Sequence, residues 1–89
     1  MKYSILLANS FKKEAKKLNK EDIKLTMQII DRLAKDEILE EKYKDHKLKG
    51  KYTGCKECHI KPNLLLIYKK EKSLLVLTAL RIGSHSELL

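Results

Sequence analysis

The stretch KPNLLLIYKKEKSLLVLTALRIG, residues 61–83, decides the fold of this chain. Pro62 opens an apolar run, Leu64 to Tyr68, that does not alternate, which is the pattern of a central strand covered on both faces. Lys69 to Ser73 reads as a polar hairpin turn, and Leu74 to Ile82 as a second strong strand ended by Gly83. Strands joined by so short a turn pair antiparallel.

Upstream of this hairpin the character changes. Lys42 to Lys61 is basic and loop-like, with Gly50 and Gly54 as turn residues, and Tyr52 and Ile60 alternate with polar neighbours as short strands would. Before it lies an acidic stretch, Asp36, Glu37, Glu40 and Glu41. Further back, helical periodicity predicts two amphipathic helices. The first is capped by Asn9 or Ser10 and carries Phe11, Ala15 and Leu18 on one face. The second runs from about Glu21 to Asp36, with Ile23, Met27, Ile30, Leu33 and Ala34 on its apolar face, widened by Leu25 and Ile29. Residues 2–7 read as a short strand. The predicted order is strand, helix, helix, then three or four strands, an α+β domain over residues 1–89. The N-terminal strand and the two-helix hairpin then pack on one face of an antiparallel sheet, and the other face stays free for the basic loops and the C-terminus.

Eighty-nine residues allow one domain, and a chain of this size buries only about 60% of its unfolded surface. Twenty Lys and Arg oppose twelve Asp and Glu, a net charge of +8, which favours a polyanionic partner, nucleic acid first and an acidic protein second. Lysine-rich solubility is the competing explanation, and the lysine rows of the first helix (Lys12, Lys13, Lys16, Lys17, Lys20) fit either. The apolar start Ile5 to Ala8 runs straight into Lys12 and Lys13 and is too short for an export signal, so the sequence predicts a cytoplasmic protein without a membrane span.

His46, His59 and His85 each stand outside or at the end of a predicted strand, away from any apolar stripe. Imidazole is the natural acid or base near neutral pH. Arg81 is one of only two arginines among twenty basic residues, and a planar fork suits phosphate. Together they suit metal-free RNA cleavage, in which a 2′-OH loses a proton, a 5′-oxygen gains one and the phosphate's added charge is stabilised. The alternative is three surface histidines and an arginine paired with a carboxylate. Cys55, Cys58 and His59 also spell C-x-x-C-H, a haem-attachment pattern, and with His46 they offer zinc-ligand types. Adjacent Cys58 and His59 on a strand would point to opposite faces, which argues against joint ligation.

Three ordered blocks, KDHKLKGKYTG (44–54), KECHIKPNLLLIYK (56–69) and LRIGSHSELL (80–89), resemble the YafQ branch of the RelE-type toxins. They cover about half of the chain. The resemblance implies a RelE-like fold and a type II toxin. Such a toxin is a metal-independent mRNA endoribonuclease, or mRNA interferase, that needs no cofactor and cuts ribosome-bound message. It is neutralised by a cognate antitoxin, through whose complex it meets operator DNA. By the same resemblance His46, His59 and His85 match active-site histidines, and Arg81 matches a phosphate-contacting arginine. Asn63 stands where the family usually has Asp, so it can hydrogen-bond but not take a proton. Leu89 replaces a C-terminal aromatic on which a base would stack. Lys47, Lys49, Lys51 and Lys56 are the expected contacts to the RNA or rRNA backbone. A module of this fold that binds ribosome, RNA or antitoxin without cutting is the competing expectation, and a zinc protein is a third.

Overall fold

A computed structural model describes residues 2–88. Along the chain come β1 (Ser4–Leu7), α1 (Asn9–Ala15), α2 (Lys20–Ala34), β2 (His46–Lys47), β3 (Lys56–Lys61), β4 (Leu64–Glu71), β5 (Val76–Gly83) and α3 (His85–Leu88). Single 3₁₀ turns lie at Glu41–Tyr43 and Gly50–Tyr52. The five strands form one sheet in the order β1-β5-β4-β3-β2. Strands β2 to β5 are an antiparallel meander, whereas β1 runs parallel to β5. The N-terminal strand is therefore an edge strand of a mostly antiparallel sheet, not a strand packed on its face. The helical hairpin carries the chain from β1 across one face to the far edge, and four alternating strands return β5 beside β1 in the same direction.

The α+β reading holds, and β4 is the central strand that its sequence predicts. Leu64, Leu66 and Tyr68 join Phe11, Ile29, Ile30, Leu33, Ala34, Cys58, Ile60, Leu77, Ala79 and Ile82 in the core under the helices. Leu65 and Ile67 face the other way, where Leu48, Tyr52, Cys55, Leu80 and Leu88 pack on them. The second face is therefore partly covered by the basic loop and the C-terminal turn. Gly50 and Gly54 do occupy left-handed backbone, at φ 67° and 90°.

Several local boundaries differ. Ala8 takes the first cap position without a side-chain bond, because Ser10 donates its hydroxyl to the Leu80 carbonyl instead. The α1 helix stops at Ala15, short of Leu18, which still packs against the core. The second helix begins and ends earlier than predicted, with the Asn19 side chain accepting from the Asp22 amide at its start. Tyr52 sits in a 3₁₀ turn rather than a strand, and Pro62 and Asn63 make the β3–β4 turn. Strand β4 runs on through Lys69 to Glu71, moving the next turn to residues 72–75. Polar residues extend the strand there because Lys69, Lys70 and Glu71 stay paired with Thr78, Leu77 and Val76 of β5, and Lys70 also meets Asp36.

Tyr68 ties this core to the loop before β2. Its buried hydroxyl donates to Asp45 Oδ1 at 2.6 Å, and Lys56 Nζ donates to Asp45 Oδ2 at 3.1 Å. Burial, helped by Asp45, pushes the phenol well above its ordinary range and keeps it protonated. Tyr68→Phe should cost about 2 kcal/mol in urea unfolding, the worth of a hydrogen bond to a charged group. No change in the unfolding midpoint would show that water replaces the bond.

Candidate active site

The register of the meander sets the site. His46 pairs with Glu57, Glu57 with Ile67, and Ile67 with Arg81. These four residues form one row across β2, β3, β4 and β5, on the face turned away from α2. At about 4.8 Å per strand, the row spans about 14 Å of backbone. His59 pairs with Leu65 in the same alternation as Glu57, one step along β3. Leu65 and Ile67 form the apolar floor between the histidine end and the arginine end.

Glu57 is the residue that sequence reasoning passed over. It is 3% exposed, and its Oε1 lies 3.6 Å from His46 Nε2 and 3.7 Å from His59 Nε2. Among the described residues its Oε2 is buried with no hydrogen-bond partner. A carboxylate kept in that state is costly, which points to a use other than stability. The E-x-H spacing of Glu57 and His59 on a strand was the available signal, but the approach of His46 depends on strand pairing. His46 Nδ1 lies against the Lys44 carbonyl and can donate to it, which turns Nε2 towards Glu57.

Arg81 anchors the other end of the row. Its Nε and Nη2 donate to Glu14 Oε1 and Oε2 at 2.9 and 2.8 Å, and Nη1 donates to the Tyr52 hydroxyl at 2.7 Å. The alternative that foresaw an arginine paired with a carboxylate is thus correct as to the contact. Burial raises Glu14, but the Arg81 and Ile82 hydrogen bonds outweigh it and leave the carboxyl below its usual range. His85 is exposed and opens α3. Ser84 and Glu87 bracket it: the Ser84 amide donates to Glu87 Oε1 at 2.8 Å, and the Glu87 amide to Ser84 Oγ at 3.3 Å.

The remaining candidates are spread around this row. Asn63 is exposed in the β3–β4 turn, and Lys47, Lys49 and Lys51 are exposed around the basic loop. Lys51 Nζ lies 5.6 Å from the centre of the Tyr52 ring. Lys56 pairs with Tyr68 on the helix side of the sheet and bonds Asp45, so its ammonium is committed on the opposite face. Leu89 lies outside the described residues.

Cys58 is buried under the helices, and Cys55 packs on Leu65 and Ile67 across the sheet. The two thiols therefore do not share a ligand sphere. Among the described residues, no group of three or more His, Cys, Asp or Glu is arranged to hold a metal ion. Burial pushes the Cys58 thiol up to about 12. A thiol-specific chromogenic reagent at pH 8 should therefore count one cysteine in the native chain and two in denaturant. Two fast native thiols would contradict the placement of Cys58.

A mostly antiparallel five-stranded sheet with a helical hairpin on one face, and histidines and arginine on the other, defines the RelE-like toxin class. The chain belongs to the YafQ family, bacterial toxins of type II toxin–antitoxin systems, whose family profile matches residues 3–89. The mRNA interferase toxin YafQ of Escherichia coli strain K12 is 41% identical over 46 residues, 52% of this chain and 48% of that protein. That match spans about half the length of the curated relative. Over nearly the whole chain, the structure is similar to a metal-bound toxin from Helicobacter pylori. The TM-score is 0.88 at 43% identity, covering 98% of this chain and 99% of that one. It is also similar to the E. coli DinJ–YafQ toxin–antitoxin complex, with a TM-score of 0.85 at 27% identity, covering 100% and 99%. Among the described residues no helix is long and apolar enough to cross a membrane.

Proposed function

We propose that this toxin is an mRNA endoribonuclease whose reaction centre is the row from His46 to Arg81, completed by His59 and His85. The observation that carries the reading is Glu57, buried and held between two imidazoles on the strand row that ends in Arg81. In the reaction, the 2′-oxygen forms a bond to phosphorus while the bond from phosphorus to the 5′-oxygen breaks. The products are a 2′,3′-cyclic phosphate and a 5′-hydroxyl. His46 Nε2 takes the 2′-OH proton, and Glu57 stabilises the charge that the ring acquires. His59 shares that carboxylate and positions the attacking ribose. His85 gives a proton to the leaving 5′-oxygen, and Arg81 stabilises the phosphorane. Asn63 contributes a hydrogen bond, and Lys47, Lys49 and Lys51 hold the phosphate backbone. Lys56 has a lesser part, since Asp45 already holds it.

The natural substrate is message in the ribosome, and the natural inhibitor is an acidic antitoxin that wraps the basic face and covers Arg81. The family and the net charge of +8 support that pairing, as does the complex formed by the E. coli relative. The complex then brings the toxin to operator DNA. Primer extension on messages after induction tests the nuclease directly, and EDTA should leave cleavage unchanged. His85→Ala should cut a normal RNA at least about a hundredfold more slowly. It should cut one with a 5′-bridging sulfur, a leaving group that needs no proton, almost normally. Equal loss on both substrates would remove His85 from the acid role. Growth arrest with intact message would favour a toxin that binds without cutting.

A further inference from the structure

We propose that Glu14 is a positioning residue of this site, holding the Arg81 guanidinium so that one N–H on each terminal nitrogen is presented to the phosphate. The inference rests on the nuclease reading above and extends it to the first helix. Strand β1 ends at Leu7 opposite Ala79, so beyond that point β5 has no strand on that side. The start of the helical hairpin takes over instead. The Ala8 amide donates to the Ala79 carbonyl at 2.9 Å, and Ser10 Oγ donates to the Leu80 carbonyl at 2.6 Å. Glu14 Oε1 then accepts the Ile82 amide at 3.2 Å. One carboxylate thus closes the open edge of β5 and grips the side chain of Arg81.

That grip is selective about which donors it uses. Arginine has five N–H groups in a fixed plane. Glu14 takes the Nε edge and one proton of Nη2, and Tyr52 takes one proton of Nη1. One N–H on each terminal nitrogen is left to donate to a phosphate. A guanidinium already fixed in this way need not reorganise as charge grows on the phosphorane. Its benefit therefore falls on the chemical step more than on RNA binding, because Glu14 offsets part of the ground-state attraction.

The test is single-turnover cleavage by Glu14→Gln and Glu14→Asp, together with the Arg81 Nε–H signal in ¹⁵N NMR. Glutamine keeps the length but turns a donor towards the guanidinium. Aspartate keeps the charge but is one methylene too short to reach both Ile82 and Arg81. Each should lower kcat by about tenfold to a hundredfold with KM within about threefold. Thermal unfolding should confirm that both variants remain folded at the assay temperature. In the wild-type chain the Nε–H signal should be sharp and should shift when a 2′-deoxy oligonucleotide, which binds but is not cut, is added. In Glu14→Gln it should broaden. Unchanged kcat in both variants, or a loss confined to KM, overturns the proposal. An Arg81 signal unaltered in Glu14→Gln overturns the positioning itself, whatever the cleavage. Absence of cleavage by the wild-type chain overturns the nuclease reading, and the catalytic purpose of the grip with it.

Discussion

Glu57→Gln should slow RNA cleavage by about a hundredfold while leaving the chain at least as stable as before. The two effects have separate causes. In the proposed mechanism cleavage suffers because a neutral amide cannot stabilise the positive charge that His46 would acquire on taking the 2′-OH proton. Stability does not suffer, because Glu57 Oε2 has no partner to lose, and Oε1 stands 3.6 and 3.7 Å from the imidazoles, beyond a good hydrogen bond. Removing a buried charge that lacks a good hydrogen bond should raise the unfolding free energy by about 1 kcal/mol. Opposite movements of activity and stability are the mark of a residue kept for chemistry. Single-turnover kinetics with urea unfolding measures both. Cleavage within threefold of the wild type, or a stability loss in step with the activity loss, would refute the role.

Arg81 should show the other large effect, and with a different signature. Arg81→Ala should lower cleavage by about a thousandfold, the upper range for loss of a transition-state donor. Arg81→Lys should lose nearly as much, because one ammonium cannot serve Glu14, Tyr52 and a phosphate together. Arg81→Ala also leaves Glu14 without its partner. In the wild-type chain that pair holds the Glu14 carboxyl below its ordinary range. A depressed carboxyl contributes stability that is complete above the ordinary carboxylate range and lost as pH falls through the lowered value. The wild-type chain should therefore lose stability on acidification in that window, and Arg81→Ala should show a shallower dependence there. Identical acid limbs in the two proteins would mean that Glu14 gains nothing from the arginine.

The acid limb and the proposed catalytic row are not equally legible in the sequence. Arg81 stood out as a rare arginine, and the three histidines by their positions at strand ends. Glu57 and Glu14 did not stand out. Among twelve acidic residues in a chain with eighteen lysines, local pattern does not tell a carboxylate that meets an arginine or a histidine from one that meets a lysine. The C-x-x-C-H run misled for the converse reason, since its spacing is local while its two thiols end on opposite faces of the sheet.

What the sequence by itself determined is which face each residue takes within its own element. Period-two alternation and helical spacing are local properties. They sufficed for the doubly buried strand from Leu64 to Tyr68, for the amphipathic α2, and for the opposition of Cys58 and His59. Only the tertiary structure decided which elements meet. The parallel seat of β1 beside β5 places Glu14 on Arg81, 67 positions away. The register of β2 on β3 places His46 on Glu57. The first depends on closing a long loop and lies beside the irregular pairing of β4 with β5 at Ile67 and Tyr68, the second on the connection between β2 and β3, and no local periodicity specifies either.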